Sequence, residues 1–203
     1  MSTRSDETPA LDVARLQDLL DRDAIRHIQI RYAWSLDNHR WEALKEIFLP
    51  DAVADYRGER FEGLEAIAAK CASSLEPADA SQHINGCHWA QVDGDKAIAG
   101  CYFIATKYIA DTPGGDTFIV GGKYIDQMVR TPDGWRIAHR LLEQAFLDGN
   151  PEVEAAAQAR WAARQQETAL EARIDAVSAR SEALDIDWPT DYLADQRLEA
   201  GER

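Results

Sequence analysis

Two residues of this chain have the types needed to move a proton, and both stand where a core would normally reject them. Asp37 falls at the end of a core-facing helical stretch, and His83 at the start of a strand-like one. A carboxylate is costly to bury without a partner. If Asp37 holds the proton on one imidazole nitrogen of His83, the other nitrogen is free to act as a base. Each residue also has a plainer reading, Asp37 as a cap for the following helix and His83 as a satisfied strand histidine. The pairing of the two against one sheet face is what favours chemistry. Tyr32 and Tyr56 add phenols able to donate hydrogen bonds to a carbonyl or a leaving group. Arg140 could supply fixed positive charge or merely solvate a sheet edge. The two-residue period of a strand puts Asn85 and Cys87 on the face of His83. Trp34, Trp89, Phe103 and Tyr124 are candidate apolar walls, and strand alternation lets only some of them face inward.

The elements that must position these groups begin with a helix from Asp21, on which Ile25, Ile28, Tyr32 and Leu36 keep the spacing of one face. Asp21 or Asp23 is its expected N-cap, with a short lead-in helix over Leu11–Leu20. A second short helix, with Trp41, Leu44 and Phe48 inward, is expected to stop at Pro50. Ala52–Tyr56 and Arg60–Glu62 read as two strands joined by the turn Arg57-Gly58-Glu59. Gly63 opens a helix that keeps Leu64, Ile67, Cys71 and Leu75 on its period. Four longer strands follow, Gln82–Val92, Lys96–Ile109, Thr117–Arg130 and Trp135–Leu147, separated by Asp93-Gly94-Asp95, a Pro-Gly-Gly loop and Thr131-Pro132-Asp133-Gly134. Helices followed by a meander predict an α+β domain with the helices packed on one face of a curved sheet. From Pro151 to Leu184 the chain is Ala-, Glu- and Arg-rich, and Val153 and Trp161 on its apolar edge predict that it packs on the domain or on a partner subunit. The expected organisation is a disordered stretch at 1–10, the α+β barrel at 11–148 and a helical extension at 149–203.

Composition limits the partners. Hydrophobic residues at 45% and charged residues at 29% are ordinary for a globular domain. A formal net charge of −14 argues against a nucleic-acid backbone as partner. No stretch approaches a membrane span and the start has no apolar leader, so a cytoplasmic protein is expected. Cys71, Cys87 and Cys101 lack metal-ligand spacing and are expected to be small buried thiols in a reducing compartment. His83 and His88, five apart on a strand, should face opposite ways, so no metal site is expected. Gly121-Gly122 lies in a strand, outside any phosphate-loop context.

Taken together, DRDAIRHIQIRYAWSLDNHRWEALKEIFLPDAVADY, FEGLEAI, SQHINGCHWAQVDGDKA and GGKYIDQMVRTPDGWRIAHR resemble the SnoaL-like branch of the nuclear transport factor 2-like superfamily over about residues 15–148. The resemblance implies a cone-shaped α+β barrel enclosing an apolar pocket. Its enzymes include scytalone dehydratase, bile-acid dehydratase, hexachlorocyclohexane dehydrochlorinase, polyketide cyclases, ketosteroid isomerase and cofactor-free lyases of lignin-derived diarylpropanes. Residue by residue it matches the helix Tyr and Asp to Tyr32 and Asp37, and the strand His to His83. It matches the Tyr ending the first strand to Tyr56, and the last-strand basic residue to Arg140. One departure is Cys87, where many relatives carry Asn. The implied function is a cofactor-independent lyase that eliminates water, or a similar leaving group, from a hydrophobic hydroxylated ring compound. The alternatives are a carbon–carbon lyase releasing formaldehyde from an aromatic dimer, an allylic isomerase, and a non-catalytic binding or assembly subunit. The expected partners are a hydrophobic small molecule and further copies of the chain, as a dimer or trimer, with neither nucleic acid nor membrane.

Overall fold

The structure, a computed structural model, describes residues 12–183; the stretch 1–10 expected to be disordered lies outside them. The first helix, α1, runs unbroken from Val13 to Asp37. Its N-cap is Asp12, whose carboxylate accepts the Arg15 amide at 3.1 Å, and not Asp21 or Asp23. The separate lead-in helix therefore merges with the main one. Asp21 sits in mid-helix, buried, and is held by the Arg130 guanidinium at 2.6 and 2.7 Å and by the Trp135 indole at 3.1 Å. A partner more than a hundred residues away in sequence explains an acid that local periodicity reads as a helix start.

After a 3₁₀ segment at Trp41–Glu46, the strands β1 (Phe48–Tyr56) and β2 (Glu59–Glu62) form a hairpin. Pro50 does not end a helix; it lies in β1, where the pairing with the last strand is irregular between Phe48 and Val53 and its missing N–H costs nothing. Helix α2 (Leu64–Leu75) buries Ile67, Cys71 and Leu75, as its period requires. Four strands follow, β3 (Ala80–Asp93), β4 (Lys96–Tyr108), β5 (Thr117–Thr131) and β6 (Gly134–Gly149). They complete one unclosed sheet of order β2-β1-β6-β5-β4-β3, antiparallel except where β1 meets β6. The α+β fold is thus a curved sheet whose inner face carries α1 and α2. Ile25, Leu36, Leu44, Ile67, Ala99 and Ile137 are among the side chains sealed between them.

A bulge between Gly86 and Trp89 inserts one extra residue into β3, with Cys87 at φ 52°. This reverses the strand's alternation. Ser81, His83 and Asn85 point inward before the bulge, and His88, Ala90 and Val92 after it. His83 and His88 therefore share a face, contrary to the expectation from an even strand. Cys87 is exposed, while Cys71 and Cys101 are buried as expected. On the outer face Ile84, Ile98, Tyr102 and Ile104 remain exposed.

The chain divides into two compact units, Met1–Gln158 and Ala159–Arg203. The opening turns of α3 (Pro151–Ala183) belong to the first unit. Val153 and Ala157 are buried against Ile109 and Phe118. Asn150 fixes the helix start by donating to the carbonyls of Pro113 at 2.9 Å and Gly115 at 2.7 Å. Among the described residues, no helix is long and apolar enough to cross a membrane.

Candidate active site

Asp37 is the last residue of α1, and the polar break that ends the helix leaves its carboxylate facing β3. Its Oδ2 accepts the backbone N–H of His83 at 2.7 Å, and its Oδ1 lies 2.6 Å from His83 Nδ1 and accepts the Ser81 hydroxyl at 3.2 Å. Burial alone would raise the Asp37 pKa, but the hydrogen bonds from His83 outweigh it and hold the carboxyl below its usual range. An ionised carboxylate can only accept, so Nδ1 carries a proton, and in the neutral imidazole Nε2 keeps its lone pair. The His83 side chain is 6% exposed and forms part of the wall of a cavity of about 410 Å³.

That cavity lies between α1, α2, the inner face of the sheet and the first turns of α3. Its apolar lining includes Leu36, Leu75, Phe103, Val120, Tyr124 and Leu142. Phe103 stacks on Tyr124 with centroids 4.3 Å apart. Gly122 makes this possible, since a Cβ there would come 2.2 Å from the Glu143 carbonyl and 3.0 Å from the Phe103 ring.

Tyr32 and Tyr56 also line the cavity, their hydroxyls 3.2 Å apart, with the Cys71 sulfur 3.8 Å from the Tyr32 hydroxyl. Burial pushes both phenols well above their ordinary pKa, so they remain protonated donors. Burial likewise pushes the Cys71 thiol up to about 11, away from nucleophilic thiolate character.

Arg140 does not reach the cavity wall. Fully buried, it lies against the faces of the Tyr32 and Tyr124 rings, at 4.1 and 4.5 Å from their centroids. Its guanidinium makes a bidentate pair with the equally buried Asp126 at 2.7 Å each. Its Nη1 has no hydrogen-bond partner, which fits a cation satisfied in part by aromatic faces. Burial opposes its charge, but Asp126 outweighs that and its pKa stays high. The polar chain continues inward. Gln29 donates to Asp126 at 3.3 Å, its Oε1 lies 2.7 Å from His88 Nδ1, and its carbonyl accepts the Asn85 amide at 3.1 Å.

Of the eleven side chains singled out in the sequence, Tyr32, Tyr56, His83, Phe103 and Tyr124 meet on the cavity wall, with Asp37 bound to His83. The others lie elsewhere. Trp34 is 66% exposed on α1, and Trp89 is half exposed, with its indole packed over Gly100. Asn85 is engaged by Gln29, Cys87 is turned out by the bulge, and Arg140 is sealed behind the tyrosines. Sequence reasoning missed Arg57, Lys107, Glu154 and Gln158, which also line the cavity. The last two lie on α3, whose composition carries no sign of a site. No cluster of three or more potential metal ligands occurs among the described residues.

Known proteins agree with this architecture. A model of the SnoaL-like domain matches residues 17–141. An uncharacterised protein of Mycobacterium tuberculosis is 31% identical over 143 residues, covering 67% of this chain and 91% of its own length. Among solved structures, a candidate scytalone dehydratase from Novosphingobium aromaticivorans superposes with a TM-score of 0.59 at 19% identity, over 66% of this chain and 89% of that one. A hexachlorocyclohexane dehydrochlorinase, LinA type 2, gives a TM-score of 0.56 at 16% identity over 68% and 92% of the two chains. The chain belongs to the SnoaL-like domain family, and its fold is that of a nuclear transport factor 2-like protein.

Proposed function

We propose that this protein is a cofactor-independent lyase that eliminates water, or a similar leaving group, from a hydrophobic hydroxylated ring compound. The observation that carries the reading is His83, held by Asp37 and set in the wall of a cavity that also presents apolar side chains and two protonated phenols. His83 Nε2 removes a proton from the carbon beside the leaving group. The electron pair left by the C–H bond forms the C=C bond as the C–O bond breaks. Tyr32 and Tyr56 donate hydrogen bonds to the departing oxygen, and the His83 imidazolium returns the abstracted proton to it, so that it leaves as water and the base is regenerated. Asp37 fixes the tautomer and stabilises the imidazolium that forms in the step.

The cavity volume, about 410 Å³, also suits a two-ring substrate, and so supports a second reading. In that reading dehydration of an aromatic dimer is followed by carbon–carbon cleavage and release of formaldehyde. Mass spectrometry of products from a panel of phenolic dimers, steroids and polyketides tests both. Loss of water, alone or with formaldehyde, is the expected result. A product isobaric with its substrate would make the protein an isomerase, and saturable binding with no turnover would make it a binding subunit. The proposed dimer or trimer has the exposed face around Ile98, Tyr102 and Ile104 available for contact, and sedimentation velocity measures its size.

A further inference from the structure

The charges on the cavity wall are unevenly matched. Three cations line it, Arg57, Lys70 and Lys107, against two carboxylates, Glu59 and Glu154. Lys70 Nζ lies 3.3 Å from Glu59, and Lys107 Nζ lies 2.6 Å from Glu154. The exposed Arg57 side chain has no hydrogen bond or ion pair with any described residue. Asp37 is not part of the wall. A cationic excess in the cavity of a chain with a net charge of −14 is the reverse of what its surface would supply by chance.

The backbone at Arg57 makes the same point independently. Tyr56 pairs directly with Glu59, so Arg57-Gly58 is a two-residue hairpin loop, and both residues have positive φ, 56° and 90°. Such a loop takes Asn-Gly or Asp-Gly most readily, and an Arg in its first position is strained. Local folding does not ask for arginine here. The Arg57 side chain, exposed at the loop, lines the cavity directly after Tyr56.

We propose that the substrate carries a carboxylate and that Arg57 binds it at the cavity wall. The inference rests on the cavity being the substrate site and adds the substrate's charge. A guanidinium fits a carboxylate through two parallel hydrogen bonds. Binding there would also keep the anionic end of the substrate away from Asp37, leaving the uncharged, hydroxylated part to face His83.

Calorimetric titration of the full chain with biphenyl-4-carboxylate and biphenyl-4-carboxamide at pH 7.5 tests this without needing the true substrate. The carboxylate is expected to bind at least tenfold more tightly in low salt, with the advantage shrinking at 0.5 M NaCl. Arg57→Asn places the residue the turn prefers, so its melting temperature should equal or exceed that of the parent. Its affinity for the amide should stay within twofold, while the carboxylate preference falls below threefold; Arg57→Lys should retain part of it. Equal affinity for the two compounds, failure of both to bind, or a preference that survives Arg57→Asn would overturn the proposal. Turnover of a neutral substrate with no carboxylate preference would remove this inference and leave the lyase standing. A carboxylate preference without turnover of any compound would do the reverse.

Discussion

Asp37 holds His83 twice, by the backbone amide at 2.7 Å and by the ring at 2.6 Å. A single carboxylate thereby anchors the start of β3 to the end of α1 and also sets the imidazole tautomer. The two roles separate by mutation. His83→Gln is expected to lower turnover on the order of 100-fold or more with a small change in melting temperature, because only the base is lost. Asp37→Asn should lower turnover comparably and also destabilise by about 1–2 kcal/mol, since hydrogen bonds to an ionised acceptor are replaced by weaker ones. Denaturant titrations beside steady-state kinetics check both, and near-normal turnover in His83→Gln would remove the histidine from the mechanism.

The Tyr32 and Tyr56 hydroxyls, 3.2 Å apart, form one donor unit. Tyr32→Phe and Tyr56→Phe are each expected to reduce turnover on the order of 10- to 100-fold. The double variant should lose much less than the product of the two, as befits residues that share a hydrogen bond. Multiplicative losses in kcat/KM would mean that the phenols act separately.

Much of this was legible in the sequence, and the failures share a cause. The strands and α2 follow two- and three-to-four-residue periods, so their existence could be read directly, and Asp37 and His83 could be singled out as a candidate pair. The continuity of α1 could not, because Asp21 breaks the apolar pattern and is explained only by Arg130 and Trp135. The inward turn of His88 and the outward turn of Cys87 depend on a bulge at a non-glycine left-handed residue, which has no sequence mark. The cavity contributions of Glu154 and Gln158 depend on where α3 docks, which Val153 and Ala157 decide through contact with Ile109 and Phe118. Local rules predict elements; these misses all lie in long-range partners.

Asp21 makes stability depend on acid. Its hydrogen bonds from Arg130 lower its pKa from 3.8 to about 2, against the opposing effect of burial. A depressed carboxyl contributes stability that is fully present above its unfolded pKa and is lost as pH falls through the folded one. The contribution, on the order of 1–2 kcal/mol after discounting for the partial exposure of Arg130, should therefore disappear between about pH 5 and pH 2. Urea midpoints in that window are expected to fall less steeply in Asp21→Asn, whose stability at pH 7 should already be about 2–3 kcal/mol lower. Parallel pH profiles for the two proteins would show that other carboxyls set the acid limb.

Arg140 and Asp126, both fully buried, provide the sharpest test of how the floor of the site is built. Removing one partner leaves an uncompensated charge in the core. Asp126→Asn alone is expected to cost about 3–5 kcal/mol, whereas replacing the pair, as Arg140→Met with Asp126→Leu, should restore much of that loss. The restored protein is the informative one. Arg140 lies 4.1 Å from the Tyr32 ring centroid, where its charge favours the phenolate form of Tyr32 and so makes the neutral phenol a stronger hydrogen-bond donor. If that polarisation assists leaving-group departure, the double variant should fold and bind substrate with KM little changed, yet lose kcat on the order of tenfold. Tyr32→Phe introduced into the double variant should then cost less than it does in the parent, because the phenol it removes has already been weakened. A double variant with parental kcat would confine Arg140 to the architecture of the core.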